Sequence, residues 1–263
     1  MQTVEQALDI LEILADSDGS FVKLGEIAER AHLSKSTVSH ILSTLCKRGY
    51  AYCISRSSGY RLGSELYYLT RNGAYGHRLA DICAPYIRWL YTQTGQTPIL
   101  TVIAEQKKTI IDYIEGEFVL TGKRQSLIRD NAYSSASGRL LLAGMERSWV
   151  LDFIAKNGLP QSYEWPQVHS AEEMFRQLEQ RRRQGYAFVE CRQKQKERVS
   201  VGYACPLYYK TNMVGSLALA VLLEPGEDTS VDKRILRKLL WCAERINGLL
   251  DLDDVIGVWI SRW

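Results

Sequence analysis

The sequence lacks the features that direct a protein into or across a membrane. No window approaches the run of about eighteen apolar residues that a membrane-spanning helix needs. The N-terminus also has no charged segment followed by an apolar one, as a secretion signal would. We therefore expect no membrane association. Proline is scarce too, with six among 263 residues, and a chain of this length and ordinary composition is typical of two moderate domains.

Cysteine is present, but never at the short spacings that are typical of zinc sites. The six cysteines form no C-x-x-C pair, and the four histidines form no H-x-x-x-H pair. This argues against a zinc site or a disulfide framework and predicts a reducing, cytoplasmic location without a metal. Neither G-x-G-x-x-G nor G-x-x-x-x-G-K-[ST] occurs, so we expect no nucleotide cofactor, and no cofactor of another kind is indicated.

Acidic residues are missing from one stretch of an otherwise charge-balanced chain. Residues 30–64 contain six Lys or Arg, two His and no Asp or Glu, whereas the formal net charge of the whole chain is only +3. The natural counterpart of such a local basic surface is a phosphate backbone. The stretch therefore predicts a contact with nucleic acid. The alternative is a basic surface that is merely solvated.

Two short helices joined by a tight turn are predicted at the start of this stretch. Apolar residues at helical spacing indicate one helix over 24–31 and a second that Ser34 caps through the amide of Thr37 and Gly49 ends. This is the helix-turn-helix pattern. Burial of the apolar stripe leaves a polar leading edge suited to base edges and phosphates. That edge consists of Ser34, Lys35, Ser36, Thr37, Ser39 and His40.

A hairpin is predicted directly after the second helix. Residues 50–54 and 60–62 read as two short strands around the turn Arg56-Ser57-Ser58-Gly59. Arg56 and Arg61 would then stand on a wing that can lie along the neighbouring DNA backbone or minor groove.

Beyond residue 97 the sequence changes from helical to strand periodicity, and strands and helices then alternate in blocks. This order predicts an α+β domain in which helices cover an antiparallel sheet, rather than a doubly wound nucleotide fold. The predicted strands are 99–104, 109–114, 118–123, 186–191, 199–209 and 213–223, and the predicted helices are 79–95, 138–145, 148–156, 171–184 and 231–250.

Small residues cluster in the segment Asn131-Ala132-Tyr133-Ser134-Ser135-Ala136-Ser137-Gly138-Arg139, which runs into a Leu-rich helix. Small side chains let a ligand approach the backbone closely, and the free amides at a helix start favour an anion such as a carboxylate. The segment therefore predicts either a ligand loop or a plain N-capping loop.

Six segments, in this order and spacing, resemble the IclR family of bacterial transcriptional regulators. They are LGEIAERAHLSKSTVSHILSTLCKRGY, YRLG, APYIRWLYTQTGQT, NAYSSASGRLLLAGM, RRRQGYAF and ACPLYYKTNMVGSLALAV. The resemblance implies a winged helix-turn-helix domain at 1–63, a dimerising linker helix at 64–77 and a GAF-like effector domain at 78–250. It also implies dimers or dimers of dimers that act on pseudo-palindromic operators as repressors or activators. The tail 251–263, with its two tryptophans, has no clear counterpart and could pack on a partner subunit.

The resemblance also implies a site for a small effector, either a carboxylate or a sugar-derived metabolite. Three differences from the family pattern stand out: the bulky Tyr133, the basic run 191–196 and the wholly apolar strand 217–223. The positions that match the family's effector loop and neighbouring strands are Ser135, Ala136, Ser137, Glu190, Gly202 and Ala204.

Two other functions stay open at this point. The C-terminal domain could serve only to oligomerise a DNA-binding protein, since the strand 217–223 offers no hydroxyl group to a ligand. An enzyme would need a nucleophile from Cys191, Cys205 or a serine of 134–137, with His169 as base. No carboxylate can be assigned to orient that histidine, so we expect no enzymatic activity.

Overall fold

The protein divides into two compact units, Met1–His77 and Arg78–Trp263. Among the residues that the computed structural model describes, no helix is both long enough and apolar enough to span a bilayer. The described residues are 2–17, 19–55, 58–71, 77–104, 107–116, 128–129, 132–192, 199–224 and 226–252.

The first unit is a helix-turn-helix with a small β-hairpin. Helices α1 (Gln2–Ala15), α2 (Leu24–Arg30) and α3 (Lys35–Lys47) precede the antiparallel strands β1 (Ala51–Tyr52) and β2 (Arg61–Leu62). Their apolar stripes meet in a single core, which is the arrangement that the helical periodicity predicted. The buried residues of this core are Ile10, Ile13, Leu14, Val22, Ile27, Ala28, Val38, Ile41, Leu42, Leu45, Ala51 and Tyr60.

The hairpin is anchored to the chain that precedes α2. Val22 and Tyr60 exchange both backbone hydrogen bonds, each with an N···O distance of 2.8 Å. Gly59 enters this bridge with a φ of +97°, and a Cβ atom there would lie 2.6 Å from the Val22 carbonyl oxygen. Only glycine fits this position without moving the bridge, so Gly59 helps to fix where the wing stands.

The second unit contains one six-stranded sheet, in which the neighbouring strands run antiparallel in the order β5-β4-β3-β8-β7-β6. A short helix, α4 (Glu65–Arg71), lies in the chain between the hairpin and this unit. The strands are β3 (Thr97–Ala104), β4 (Lys107–Tyr113), β5 (Ile128–Arg129), β6 (Ala187–Arg192), β7 (Val199–Tyr209) and β8 (Asn212–Leu223). The helices are α5 (His77–Thr94), α6 (Ala136–Gly144), α7 (Arg147–Asn157), α8 (Ala171–Gln184) and α9 (Lys233–Asp251).

Helices cover both faces of this sheet. Large aliphatic residues of β3, β7 and β8 pack on one face against α5 and α9. The other face carries smaller residues and packs against α6, with Ala136 and Leu140 meeting Ala204 and Ala218. The far side of α6 packs in turn against α7 and α8 around Phe153. Helix α6 is therefore buried along most of its length, between the sheet and an outer helical layer.

The predicted α+β class is confirmed: a winged helix-turn-helix is followed by an antiparallel sheet between helices. Most predicted elements occur within a few residues of their expected ends, and β5 is a strand that the sequence pattern did not predict. The strand predicted at 118–123 lies outside the described residues.

Candidate DNA interface and effector site

The leading edge of α3 begins with a hydrogen-bonded N-cap. The Ser34 hydroxyl accepts a hydrogen bond from the Thr37 backbone amide at 3.1 Å, as the sequence predicted, and also lies 2.9 Å from the Thr37 hydroxyl. Ser34 thus provides a hydrogen-bond acceptor for one of the backbone amides at the start of α3, and the two hydroxyl groups are hydrogen-bonded to each other. Ser34 and Thr37, two residues of the predicted leading edge, therefore have a structural role in addition to any contact with DNA.

The other residues of the leading edge point away from the core. Lys35, Ser36 and His40 are exposed and Ser39 is half-buried, while Val38 on the opposite side is fully buried. Burial of the apolar stripe thus fixes which side of α3 faces outward. The outward side offers one ammonium, hydroxyls and an imidazole, which are suitable groups for phosphates and base edges.

Ion pairs remove one charge from the basic stretch. Arg30 lies 3.1 Å from an Asp16 carboxylate oxygen and 3.8 Å from a Glu26 carboxylate oxygen, so acidic residues outside the stretch neutralise it. Lys35 and Arg61 are exposed. The positive surface is therefore narrower than the sequence count suggested and is centred on α3 and the wing.

Aromatic rings support the wing arginine. The Arg61 guanidinium carbon lies 5.0 Å from the Phe21 ring centre and 5.1 Å from the Tyr52 ring centre, within cation–π range. The two rings bracket an exposed arginine on β2 and restrain its direction. Arg56, the other predicted wing contact, lies outside the described residues.

The N-cap gives a prediction about stability. Replacing Ser34 by Ala should lower the free energy of unfolding of the first unit by about 1 kcal/mol, since the Thr37 amide loses its acceptor. Urea denaturation of the full chain measures this loss when unfolding is followed by a signal from the first unit. Ser36→Ala is the matched control, because Ser36 also lies in the first turn of α3 and its side chain is exposed. This variant should unfold like the wild type. Equal stability of the two variants would remove the capping role.

In the second unit, a buried lysine meets the N-terminus of α6. The Ser135 hydroxyl caps α6 by accepting a hydrogen bond from the Gly138 amide at 3.2 Å. It also accepts one from the Lys108 ammonium at 3.1 Å, and it lies 3.5 Å from the Ser137 hydroxyl. Lys108 is only 7% exposed. Positive charge is thus brought to a helix end that already favours anions.

Small residues form the sheet surface beneath this helix end. A Cβ atom on Gly202 would lie 3.4 Å from the Cβ atom of Ala136, so β7 and the first turn of α6 are in close contact. Ala204 follows on the same face and is fully buried. The structure therefore brings together five of the six residues predicted for the effector site: Ser135, Ala136, Ser137, Gly202 and Ala204.

The strand register separates Glu190 from that group, which corrects the sequence-based grouping. Glu190 is paired with Val201, and Val201 belongs to the core formed with α5 and α9. Successive side chains of a strand point to opposite faces. Glu190 therefore lies on the face opposite Gly202.

Two buried hydroxyl groups beneath α6 were not predicted. Thr101 on β3 and Ser216 on β8 are directly paired, fully buried and without a hydrogen-bond partner for their side-chain oxygens. Their neighbours Leu100 and Leu217 belong to the core on the α5 side, so alternation puts both hydroxyls on the α6 side. An unpaired buried hydroxyl is costly, and each such group calls for an explanation.

A buried arginine holds the loop that leads into α6. The Arg139 guanidinium donates hydrogen bonds to the Tyr133 and Glu164 carbonyl oxygens, both at 2.6 Å, and lies 4.4 Å from the Trp165 ring centre. The Tyr133 hydroxyl donates to the Gly158 carbonyl at 2.7 Å. The bulky Tyr133 ring thus packs among α6, α7 and α8, and not against the sheet.

Two of the groups suggested for an enzyme, Cys205 and His169, lie in very different surroundings. Cys205 is fully buried, and burial raises its pKa to about 12, which keeps it a neutral thiol. His169 is exposed, at the start of the segment that leads into α8. Across the described ranges, three or more metal-ligating side chains nowhere come together.

Two family models match the chain. The IclR helix-turn-helix domain matches residues 3–52, and the model for the Bacterial transcriptional regulator IclR C-terminal domain matches residues 74–247. The chain belongs to the IclR family of bacterial transcriptional regulators. The resemblance seen in the sequence is confirmed, and this IclR-family protein is a DNA-binding transcriptional regulator.

Individual IclR-family proteins are similar over much of the chain. The HTH-type transcriptional regulator XynR of Escherichia coli is 26% identical over 88% of this chain and 90% of its own length. The transcriptional repressor IclR of the same species is 24% identical over 72% of this chain and 69% of its own. A crystal structure of an IclR homologue from Microbacterium hydrocarbonoxydans, in complex with 4-hydroxybenzoate, shares the fold. Its TM-score is 0.70 at 18% identity, covering 95% of this chain and all of that one.

Proposed function

We propose that this regulator binds a pseudo-palindromic operator as a homodimer, or as a dimer of dimers, in the cytoplasm. Each subunit would place the leading edge of α3 in the major groove and its wing on the adjacent backbone. Two-fold symmetry then sets the two helices about 34 Å apart, one turn of DNA. The observation that carries this proposal is the acid-free, outward edge of α3, held by its buried apolar stripe.

Exposed apolar residues of the first unit support self-association. Val4 and Leu8, one turn apart on α1, are exposed, as are Tyr67 and Leu69 on α4. Large apolar side chains that are exposed on the surface of a single subunit are typical of subunit contacts. We therefore assign the dimer contact of the first unit to α1 and α4.

Base reading is assigned to Ser39 and His40. We expect Ser39→Ala or His40→Ala to change the ranking of operator variants by about fivefold, with a smaller change in affinity for unrelated DNA, because base contacts discriminate and phosphate contacts do not. Fluorescence anisotropy with the operator and its single-base variants measures this ranking. Lys47→Ala, at the far end of α3, is the control. An unchanged ranking in both variants would mean that neither side chain reads a base.

We further propose that a small carboxylate effector binds at the start of α6, against Ser135, Ala136, Ser137, Gly202 and Ala204. The buried Lys108 ammonium supplies the positive charge, and the α6 amides add to it. The complex of the Microbacterium homologue with 4-hydroxybenzoate, an aromatic carboxylate, supports a ligand of this class in the same fold.

The Thr101 and Ser216 hydroxyls extend this proposal to a second polar group on the effector. Both lie beneath α6 without a partner, at a cost of about 1–3 kcal/mol for each unmade hydrogen bond. A hydroxyl or carbonyl group of the effector would satisfy them. A hydroxy acid or an oxo acid therefore suits the site better than a simple fatty acid.

Lys108 provides the test of the effector's charge. We expect Lys108→Met to weaken carboxylate binding about tenfold, since a charged hydrogen bond is lost, and to leave binding of neutral amides unchanged. Thermal shift with 4-hydroxybenzoate and pyruvate, each against its amide, measures this at millimolar ligand. Lys107→Met is the matched control, because Lys107 is the exposed neighbour on β4. Equal shifts by acid and amide would contradict an anionic effector.

An effector can change operator affinity only if it binds one of two states of the protein more tightly than the other and so shifts the equilibrium between them. The effect should therefore be reciprocal, with operator DNA changing effector affinity by the same factor.

The second candidate is a C-terminal domain that only oligomerises. The packing of Ala136 and Leu140 against Ala204 and Ala218 favours it, because these side chains bury the surface between α6 and the sheet. Failure of every acid and amide to raise the melting temperature would favour this alternative, with DNA binding retained. No enzymatic activity is proposed, since the family is one of transcriptional regulators.

A further inference from the structure

Two cysteines of the first unit lie where solvent reaches them. Among the cysteines whose surroundings the structure describes, Cys83, Cys205 and Cys242 are fully buried, whereas Cys46 and Cys53 are half-buried. The oxidation of a thiol depends on its exposure, and burial in an apolar core makes it inert. Within the described part of the chain, Cys46 and Cys53 are therefore the thiols that a dissolved oxidant can reach.

Cys46 lies on the side of α3 that faces the core of the first unit. It follows the buried Leu42 by one turn, and its side chain packs against the core. Helix α3 ends just beyond it, before Gly49, whose φ of +77° turns the chain out of the helix. The chain then returns to the same core as strand β1.

Strand β1 brings Cys53 to this core from the other direction. Ala51 is buried in the core and Tyr52 is 46% exposed, so alternation turns the next side chain, that of Cys53, inward again. Cys53 packs against the same core as Cys46. Burial raises the pKa of Cys46, and the negative charge of a Cys53 thiolate raises it further, which agrees with two sulfur atoms that lie near each other.

We propose that Cys46 and Cys53 form a disulfide within one subunit when the protein meets a peroxide, and that this disulfide weakens operator binding. Hydrogen peroxide first converts the Cys53 thiol to a sulfenic acid and releases one water. The Cys46 thiol then attacks the sulfenic sulfur and displaces its hydroxyl group as a second water. Two thiols and one hydrogen peroxide thus give one disulfide and two waters. An excess of a reduced thiol reverses the reaction by exchange.

The reduced Cys53 holds the turn of the wing. Its Sγ atom donates a hydrogen bond to the Ser55 carbonyl oxygen at 3.0 Å. The Ser55 hydroxyl accepts one from the Ser58 amide at 3.2 Å and lies 2.6 Å from the Ser58 hydroxyl. A disulfide has no S–H group, so the bond to the Ser55 carbonyl is lost and the base of the wing is tied to the last turn of α3. The effect on DNA rests on the proposed function, in which the wing lies on the DNA backbone.

Peptide mapping tests the disulfide without reference to DNA. Trypsin cuts after lysine and arginine, which leaves Cys46 in peptide 36–47 and Cys53 in peptide 49–56, each with a single cysteine. After treatment of the full chain with hydrogen peroxide, we expect mass spectrometry under non-reducing conditions to find these two peptides linked. Peptides that stay separate, or that are linked only in covalent dimers on a non-reducing gel, overturn the proposal.

Fluorescence anisotropy with operator DNA tests the effect of the disulfide. Peroxide should weaken operator binding of the wild type about tenfold, and dithiothreitol should restore it. Cys46→Ala and Cys53→Ala should each bind the operator equally well before and after peroxide, because either change leaves one thiol without its partner. Cys83→Ala, which removes a buried cysteine of the second unit, is the control and should respond like the wild type.

Two outcomes separate this proposal from the proposed function. Linked peptides together with an unchanged operator affinity overturn the redox effect, while the DNA interface stands. A reduced wild type that does not bind the operator contradicts the proposed function instead, and the peptide map still decides whether the disulfide forms.

Discussion

Lys35→Ala is expected to weaken binding to every DNA duplex by roughly ten- to hundredfold at low salt. Lys35 is exposed at the first turn of α3, where the helix amides and its ammonium together face the phosphate backbone in the proposed complex. A dimer loses two exposed contacts at once, each with a net contribution of about 0.7–1.4 kcal/mol, which together correspond to ten- to hundredfold. Because phosphates carry no sequence information, operator and unrelated DNA should lose affinity alike.

The salt dependence makes this result specific. Each lost phosphate contact lowers the slope of log K against log salt by about 0.9, so the Lys35→Ala dimer should show a slope smaller by about 1.8. Anisotropy titrations from low to moderate salt measure it. Lys156→Ala removes an exposed lysine at the end of α7 and should leave the slope unchanged. A wild-type slope for Lys35→Ala would exclude it from the phosphate contacts.

The largest stability effect is expected for Arg139→Met. This substitution removes the hydrogen bonds that Arg139 donates to the Tyr133 and Glu164 carbonyl oxygens, and it removes the cation beside Trp165. We expect the free energy of unfolding of the second unit to fall by about 2–4 kcal/mol. Guanidinium denaturation followed by near-UV circular dichroism measures the loss.

A conservative variant distinguishes hydrogen bonding from charge. The ammonium in Arg139→Lys keeps the positive charge but not the planar fork that donates to two carbonyls, so we expect an intermediate loss. Wild-type stability in both variants would contradict the role of Arg139 in holding the loop. Effector response should be lost before operator binding, because the loop from Tyr133 to Ser135 leads directly into α6.

The DNA-binding unit could be predicted from the sequence because its signals are local. The Ser34 cap, the stripe around Val38 and the ending at Gly49 all lie within sixteen residues, and each depends on helix geometry alone. The neutralisation of Arg30 was missed because its partner Asp16 lies in another segment, where no periodicity points to it.

The effector site could be predicted only in part, because strand pairing decides the rest. Thr101 and Ser216 become neighbours across more than a hundred residues, and only the register of β3 and β8 reveals it. The same dependence misplaced Glu190, because its position on a strand next to that of Gly202 does not say which face of the sheet its side chain takes. Lys108 lies just before the predicted strand 109–114, and its contact with Ser135 exists only in the folded sheet.

The two-sided burial of β8 has a consequence for how this protein can change over evolutionary time. Leu217 and Leu219 belong to the packing with α5 and α9, while Ser216 and Ala218 alternate with them beneath α6. One backbone therefore serves two cores, and a larger side chain on either side displaces the other. A lineage that acquires a new ligand specificity on the α6 side must repack the opposite side in step, so the two faces of this strand should accept substitutions in pairs.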